Sequence, residues 1–457
     1  MKKILLFLTI CFLAASCKKQ NEWLDVKSNK ADVVPASLQD FQALLDNDRV
    51  MNESYPVLGL ISSDNYYVTY ANWQSRATAQ ERNTYLWLPD IYEGESGFDW
   101  LYAYQQVNQA NTVLDGLKDF KSSASQQSSY NTIMSSALFY RSMAFYNLLQ
   151  EFAPPYSAVS ATTDPGIPLK LTSDVNEKPA RASVQATIDR IVSDLSAAEP
   201  LLPTIPLYKT RPSKSAVYAL LAKLYLYMGD YIQAEANAAK SLSIYGTLID
   251  FNTINSAVTF PFPNFTSGHP EILFYSKAGS FGILSNSRML VDNSLYLLYT
   301  QNDLRRTLFF QSKPTGIGFR GYYTGRNSSI FSGIATNELY MIRAECLARQ
   351  GKLTDALTAL NGLLQKRWKT GTFQPVTAAS ADEALEKILI ERRKELPFTG
   401  ILRWEDLRRL NKVPGFEKIL TRNLNGQGYT LPANDKRYTF PIPDDEIRLN
   451  GIQQNPR

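Results

Sequence analysis

The residues best suited to ligand chemistry alternate between aromatic rings and polar groups. Asp64-Asn-Tyr-Tyr-Val-Thr-Tyr-Ala-Asn-Trp73 places both kinds of side chain in one short stretch. Aromatic rings of this kind recognise ligands that are partly apolar, and acid and amide groups bind their hydroxyls. We therefore predict a binding site here. Its candidate residues are Asp64, Asn65, Tyr66, Tyr67, Tyr70 and Trp73.

Four further aromatic residues are weaker candidates for ligand contact. Trp87 and Trp100 bound a second aromatic stretch, and Tyr322 and Tyr323 follow glycines in a loop-rich segment. Any of these rings could instead pack in the core, which is where large aromatic side chains are mostly found. A ring flanked by glycine can also simply fill a tight turn. Burial of each ring therefore decides between the two interpretations.

The sequence lacks the groupings that catalysis or metal binding would need. The only histidine, His269, lies beside a proline and has no neighbouring cysteine or second histidine. Acid pairs such as Glu405 with Asp406 and Asp444 with Asp445 are adjacent and would not face each other on a helix. No nucleophile elbow, P-loop or dinucleotide-binding glycine motif occurs. We predict a protein that is not an enzyme and has no cofactor or metal.

The N-terminus has the anatomy of a secretory signal. Lys2 and Lys3 precede an apolar run from Ile4, which ends in Leu13-Ala-Ala-Ser-Cys17. This ending resembles the bacterial lipobox, so we predict a signal peptide over residues 1–16 and a lipid on Cys17. Alternatively, Cys17 is an ordinary cysteine of a secreted protein. The apolar run is too short for a transmembrane helix, which needs about 20 residues.

The amino-acid composition limits the classes of molecule that we expect to bind the protein. Loss of Lys2 and Lys3 with the signal peptide lowers the formal net charge from +5 to about +3, and no basic run is present. Nucleic acid is therefore not an expected partner.

With Cys17 lipidated, Cys346 is the one cysteine left, in an apolar helical segment where we predict a buried free thiol. Fold stability must then come from core packing.

Helical periodicity dominates the elements that would position the candidate residues. It predicts helices at 37–45, 107–114, 136–149, 183–195 and 380–395 and a helical hairpin over 213–242. The hairpin residues resemble a tetratricopeptide repeat with Gly229 near the turn, and a second match places Gly351 likewise. Two unrelated hairpins are the alternative. We predict loops with a few strands at 251–336 and an irregular tail at 413–457.

Several of these landmarks, in order, resemble the SusD/RagB family of nutrient-uptake lipoproteins from Bacteroidetes. The matching blocks include Trp23-Leu-Asp-Val26, Ala110-Asn-Thr-Val-Leu-Asp115, Arg211-Pro-Ser-Lys-Ser-Ala216 and the closing Phe440-Pro-Ile-Pro-Asp-Asp-Glu-Ile447. One block departs from the family pattern, because Thr399 precedes Gly400 and Arg403 comes one residue late. This departure puts the local turn in doubt and not the family resemblance.

The resemblance implies a fold, a function and a partner. It implies a mainly α protein with a tetratricopeptide-like hairpin scaffold, large irregular loop-rich insertions and few short strands. An N-terminal region over 17–250 would contain the aromatic insertion, and a C-terminal region over 251–457 the second hairpin. The protein would be a lipid-anchored outer-membrane protein facing the cell surface. It would capture an oligosaccharide or a peptide for a SusC-like TonB-dependent transporter barrel. A non-catalytic interaction scaffold that uses the hairpins is the alternative.

Overall fold

The folded part of the protein is built mainly from helices. The computed structural model describes residues 35–457. The predicted signal peptide, the lipidation site at Cys17 and the motif that begins at Trp23 lie outside these described residues. Within residues 35–457, no helix is both long enough and apolar enough to cross a lipid bilayer.

Seventeen α-helices form the scaffold of the described residues. The two longest, α6 and α7, contain the helices predicted at 107–114 and 136–149 and pack against each other. In chain order the helices are α1 Leu38–Leu45, α2 Asp48–Met51, α3 Leu58–Ser62, α4 Tyr70–Gln74, α5 Ala79–Tyr85, α6 Phe98–Asp119, α7 Gln127–Phe152, α8 Val184–Ala198, α9 Lys214–Met228, α10 Tyr231–Ile244, α11 Asn293–Tyr296, α12 Arg305–Phe309, α13 Thr336–Arg349, α14 Leu353–Leu364, α15 Ala381–Glu395, α16 Leu402–Leu410 and α17 Asp444–Asn450.

The strands of the described residues are short and pair only two at a time. All five pairs are antiparallel: β1 with β5, β2 with β3, β4 with β8, β6 with β7, and β9 with β10. The strands are β1 Tyr66–Tyr67, β2 Pro165–Pro168, β3 Arg181–Ser183, β4 Ile272–Phe274, β5 Leu290–Val291, β6 Phe310–Lys313, β7 Gly316–Phe319, β8 Ile334–Ala335, β9 Leu420–Leu424 and β10 Gln427–Leu431. Short strands at 251–336 were predicted, and β4 to β8 confirm them.

The two helical hairpins are present where the repeat pattern predicted them. α9 and α10 pack together, as do α13 and α14, and α10 also packs against α13. Gly229 and Gly351 lie in the turns with φ of 78° and 74°, a left-handed conformation that glycine adopts without steric cost. The structure therefore confirms the mainly α fold with tetratricopeptide-like hairpins, loop-rich insertions and few strands.

Local sequence signals explain where several helices begin. Ser37, Ser183, Ser213 and Ser380 stand at the N-caps of α1, α8, α9 and α15, and each side-chain oxygen accepts a hydrogen bond from a backbone N–H of the first turn. Such a cap satisfies a donor that has no partner inside the helix. At the other end of α7, Pro154 cannot continue the helix, which ends at Phe152.

The prediction of an irregular tail over 413–457 was wrong in two places. β9 and β10 form a hairpin there, and α17 follows it. The hairpin turn is Asn425-Gly426, with φ of 51° and 80°. An Asn-Gly pair between alternating residues is a strong hairpin signal, because both residues tolerate positive φ. The sequence therefore contained the information that the prediction overlooked.

Apolar packing holds the scaffold together. The larger hydrophobic cluster runs from Phe41 to Ile452 and draws residues from both sides of position 250. A smaller cluster joins α13, α14 and α15. Cys346 is a buried free thiol, as predicted. Residues 35–457 contain this one cysteine and no disulfide among themselves, so their stability comes from close packing of this kind.

Candidate ligand-binding site

A cleft of about 430 Å³ lies where β1, α11 and β9 come together. β1 reaches this place because Tyr66 and Tyr67 pair with Val291 and Leu290 of β5. We call it the aromatic cleft. The lining residues that matter below are Asp64, Tyr66, Tyr67, Trp87, Lys418 and Arg422.

Tyr67 presents an accessible ring to the aromatic cleft. Its side chain is 37% exposed and lies at the end of β1. Gly316 on β7 has φ of 144°, and a Cβ built on it would lie 3.1 Å from the Tyr67 hydroxyl. Glycine therefore leaves room for the tyrosine at this close approach. Tyr67 can offer a ring to a ligand from a well-packed position.

Tyr70 and Trp73 form a stacked pair on α4, the short helix that follows β1. Their ring centroids are 5.8 Å apart, with an interplanar angle of 28°. The Trp73 indole Nε1 donates a hydrogen bond of 3.1 Å to the Arg82 carbonyl. Tyr70 is 39% exposed, whereas Trp73 is half-buried. Trp73 therefore supports the ring of Tyr70, which remains open to solvent.

Asp64 and Asn65 do not offer free oxygens to a ligand. Arg403 Nε lies 2.6 Å from Asp64 Oδ1, and Lys418 Nζ lies 2.6 Å from Oδ2. Burial raises the pKa of Asp64, but the charges of Arg403 and Arg393 hold it well below its ordinary value. The Asn65 side-chain oxygen accepts from Arg393 Nε at 3.1 Å. The prediction that these two residues bind sugar hydroxyls is corrected, because cations already occupy their acceptors.

Tyr66 and Trp87 line the cleft from below with little exposed surface. They are 2% and 3% exposed, and each donates to a backbone carbonyl, Tyr66 to Ile61 and Trp87 to Ser62. The Arg422 guanidinium lies 4.4 Å from the Trp87 ring centroid and 5.7 Å from that of Tyr66. Both rings therefore pack beneath Arg422. The prediction that a ligand stacks on them is corrected.

Trp100, Tyr322 and Tyr323 belong to the core. Trp100 is 3% exposed and packs edge-on against Phe152, with ring centroids 5.1 Å apart. Tyr322 is 1% exposed, and Tyr323 donates its hydroxyl to Glu271 Oε2 at 3.0 Å. We correct the prediction that Tyr322 and Tyr323 contact ligand, because they are only 1% and 8% exposed. Trp100 has little exposed surface and lines a separate pocket, not the aromatic cleft.

His269 is buried and has no metal-ligand environment. Its Nδ1 accepts from the Glu271 N–H at 3.3 Å, and burial lowers its pKa to about 3. The imidazole is therefore neutral at physiological pH. Within residues 35–457, no group of three His, Cys, Asp or Glu side chains is arranged to hold a metal ion. The structure places this histidine in the packing of the core.

Part of the cleft is lined by residues that the sequence patterns did not identify as candidates. Lys418, Arg422 and the exposed Thr421 and Asn423 lie on or next to β9. β9 alternates buried and exposed positions, as expected for a strand with one face on the core. The Asn-Gly turn and this alternation could have indicated the hairpin. Its position opposite β1 could not be inferred, because 352 residues lie between the end of β1 at Tyr67 and the start of β9 at Leu420.

Two family models match the chain, one in each half. A model described as starch-binding associating with outer membrane matches residues 22–226, and a model described as the SusD family matches residues 322–457. The chain belongs to the SusD/RagB family. The resemblance seen in the sequence motifs is thereby confirmed. The description of the first model places SusD/RagB proteins of this kind in association with the outer membrane.

Known SusD/RagB proteins resemble the chain over most of its length. A SusD-like protein P2 from Formosa agariphila is 23% identical over 418 residues, which are 78% of this chain and 79% of that protein. A SusD superfamily structure from Bacteroides thetaiotaomicron has a TM-score of 0.76 at 22% identity and covers 92% of this chain and 100% of its own. A laminarin-binding SusD-like protein has a TM-score of 0.67 at 19% identity, covering 91% and 97%. At these identities the solved structures establish a shared fold.

Proposed function

We propose that the chain captures an oligosaccharide at the aromatic cleft and delivers it to a SusC-like TonB-dependent transporter. A lipid on Cys17 would hold it to the outer membrane with the cleft facing outward. Peptide is the alternative ligand. The observation that carries the proposal is the exposed ring of Tyr67 in the lining of a polar cleft of a SusD/RagB protein. The exposed Tyr70 lies outside that lining, three residues further along the chain.

The chemistry of the cleft supports a carbohydrate ligand. Tyr67 and Tyr70 can each stack on the apolar face of a sugar ring. Ser294, Thr421 and Asn423 are exposed around the cleft and provide hydroxyl and amide groups for sugar hydroxyls. One solved relative of the same fold binds laminarin, a polysaccharide. A cleft with both stacking rings and neutral polar groups suits the same class of ligand.

Removing either exposed ring should weaken oligosaccharide binding. We expect Tyr67→Ala and Tyr70→Ala each to raise the dissociation constant roughly tenfold, because each removes one stacking surface. Trp73→Ala should act similarly, since Trp73 supports Tyr70. The measurement is calorimetric titration of the chain from residue 18 onward with a panel of oligosaccharides and peptides.

A matched variant separates the cleft from general effects of losing a tyrosine. Tyr208 is 59% exposed and lies outside the cleft, so Tyr208→Ala should bind as the unaltered chain does. Saturable binding that survives the changes at Tyr67, Tyr70 and Trp73 would place the site elsewhere. A chain that binds no member of the panel would favour the interaction-scaffold function instead.

The anchor and the orientation can be tested in cells. We expect a Cys17→Ser variant to lose its lipid and to leave the membrane fraction, because a single apolar signal run of this length does not span a bilayer. Protease added to intact cells should cleave the anchored chain. Protection from protease would contradict surface exposure, and membrane retention of Cys17→Ser would contradict the lipid anchor.

The transporter partner has its own test. Extraction of the anchored chain from outer membranes in mild detergent should recover a TonB-dependent transporter barrel with it, identified by mass spectrometry. The opposite outcome is recovery of the chain without any such barrel under conditions that keep other outer-membrane complexes intact. That result would contradict the transporter partner, but it would not contradict ligand binding.

A further inference from the structure

A second pocket, which shares no lining residue with the aromatic cleft, lies at the C-terminal ends of α7 and α16. Its volume is about 320 Å³. The buried Arg408 lines it, together with the exposed Lys412, Asn434 and Lys436. The pocket wall therefore contains both surface residues and the buried Arg408.

Arg408 is buried, but two of its three guanidinium nitrogens have no hydrogen-bond acceptor among the described residues. Its side chain is 1% exposed, and Nη2 donates to the Ala153 carbonyl. Within residues 35–457, its Nε and Nη1 have no hydrogen-bond acceptor and no carboxylate lies within ion-pair distance. The neighbouring Arg409, whose side chain is 9% exposed, pairs with both Glu345 and Asp406. Buried donors without acceptors are costly, so an arginine in this condition indicates a missing partner.

The nearest acids do not supply that partner. Glu151 is buried, and its burial, together with the neighbouring Asp99, raises its pKa well above the ordinary value. Burial therefore favours its uncharged form. Glu405 lies 3.5 Å from Lys223 Nζ and accepts from the Tyr146 hydroxyl. Neither carboxyl group forms an ion pair with the guanidinium of Arg408 among the described residues.

The pocket wall carries three basic residues, Arg408, Lys412 and Lys436, and two acidic ones, Asp164 and Asp435. Asp435 pairs with Arg437 at 2.8 Å, and Asp164 accepts a hydrogen bond from Ser160 Oγ at 2.6 Å. Lys412 donates only to backbone carbonyls, at 2.6 and 2.8 Å. Its charge is therefore available to a ligand that enters the pocket. A negatively charged ligand would gain charge-assisted hydrogen bonds here, which are about twice as strong as neutral ones.

We infer that this pocket binds an oxyanion, a carboxylate, sulfate or phosphate group carried by a small ligand, through Arg408 with Lys412 at the mouth. The site is separate from the aromatic cleft and does not depend on the function proposed for it. An acidic group on a captured nutrient and an independent small acid share this chemistry. The three oxyanions differ in shape and charge, so separate titrations distinguish them.

The test is a set of calorimetric titrations of the chain from residue 18 onward at constant ionic strength. The probes are sodium glucuronate, sodium sulfate and sodium phosphate, with glucose as the uncharged comparison. We expect saturable binding of at least one anion and none of glucose. Arg408→Met should weaken that binding at least tenfold, and Lys412→Met should weaken it severalfold. Lys387→Met, which removes a half-exposed charge of α15 outside the pocket, should leave it unchanged.

Two results would overturn the inference. One is the absence of saturable binding of all three anions by the unaltered chain. The other is binding that Lys412→Met and Arg408→Met leave as strong as before. If the Arg408→Met variant does not fold, the Lys412→Met variant still tests the inference. The Lys412 side chain is exposed, so its loss should not disturb the core. Tyr67→Ala should not change anion binding, which keeps this test independent of the aromatic cleft.

Discussion

An Arg367→Met variant is expected to lose about 3–5 kcal/mol of unfolding free energy, because the substitution leaves buried carboxylates without their cation. Arg367 is fully buried, and its Nη2 lies 2.9 Å from Glu271 Oε1 and 2.8 Å from Glu395 Oε1. Its Nη1 also donates to the Ile249 carbonyl at 2.9 Å. Glu395 keeps a contact with Arg305 at 3.1 Å, but Glu271 would have no cation. Chemical denaturation at neutral pH measures the loss.

A more exposed ion pair provides the control for this variant. Arg343 Nε lies 2.8 Å from Glu235, but its side chain is 40% exposed, so Arg343→Met should cost less than about 1 kcal/mol. Adding Glu271→Gln to Arg367→Met should restore part of the stability, because the stranded charge is then removed. Equal losses for Arg367→Met and Arg343→Met would show that burial of the ion pair has no consequence.

Asp64→Asn should destabilise the protein by about 2–4 kcal/mol, since it leaves three cations beside one another without their shared anion. Arg403, Lys418 and Arg393 approach the Asp64 carboxylate at 2.6, 2.6 and 3.4 Å. These side chains come from α15, α16 and the segment before β9. The same residue therefore ties together the elements that surround the aromatic cleft.

The pH dependence of this effect follows from the depressed pKa of Asp64. Burial raises that pKa, but Arg403 and Arg393 lower it well below the ordinary 3.8. A carboxyl with a lower pKa in the folded state stabilises the fold above its unfolded pKa, and the contribution disappears as the pH falls through the folded value. The difference in melting temperature between the unaltered chain and Asp64→Asn should therefore be constant near neutral pH and shrink only in strong acid.

A surface acid serves as the comparison. Glu53 is 40% exposed and lies 3.2 Å from Lys277, so Glu53→Gln should change stability by less than about 1 kcal/mol at any of these pH values. If Asp64→Asn lowered stability as little as Glu53→Gln, the three cations would not need the negative charge of Asp64. Asp64 would then be free for ligand, as the sequence prediction had it.

Local signals predicted much of the scaffold. Ser37, Ser183, Ser213 and Ser380 mark helix starts because a cap involves residues only two or three positions apart. Gly229 marks a hairpin turn because its positive φ depends on the residue itself. The Asn425-Gly426 turn carried a signal of the same kind, and the prediction of an irregular tail missed it. None of these features depends on distant parts of the chain.

Which aromatic residues are exposed was not open to prediction from the sequence. Tyr66 and Tyr67 are neighbours of identical type, yet one is 2% and the other 37% exposed, because successive side chains of a strand point to opposite faces. Which face is covered depends on Arg422 packing above Tyr66, at 5.7 Å from its ring centroid. The same holds for Trp87, whose ring lies below the same guanidinium.

The sequence by itself determined the family, the helical hairpins and the stretch in which the accessible rings lie, since motif order and short-range periodicity are contained in the chain. Only the tertiary structure decided that Tyr67 and Tyr70 are accessible, and that Asp64 is held by Arg403, which lies 339 positions away. The reason is physical. Burial and ion pairing depend on contacts between distant segments, and a side chain has no exposure or partner until those segments have packed.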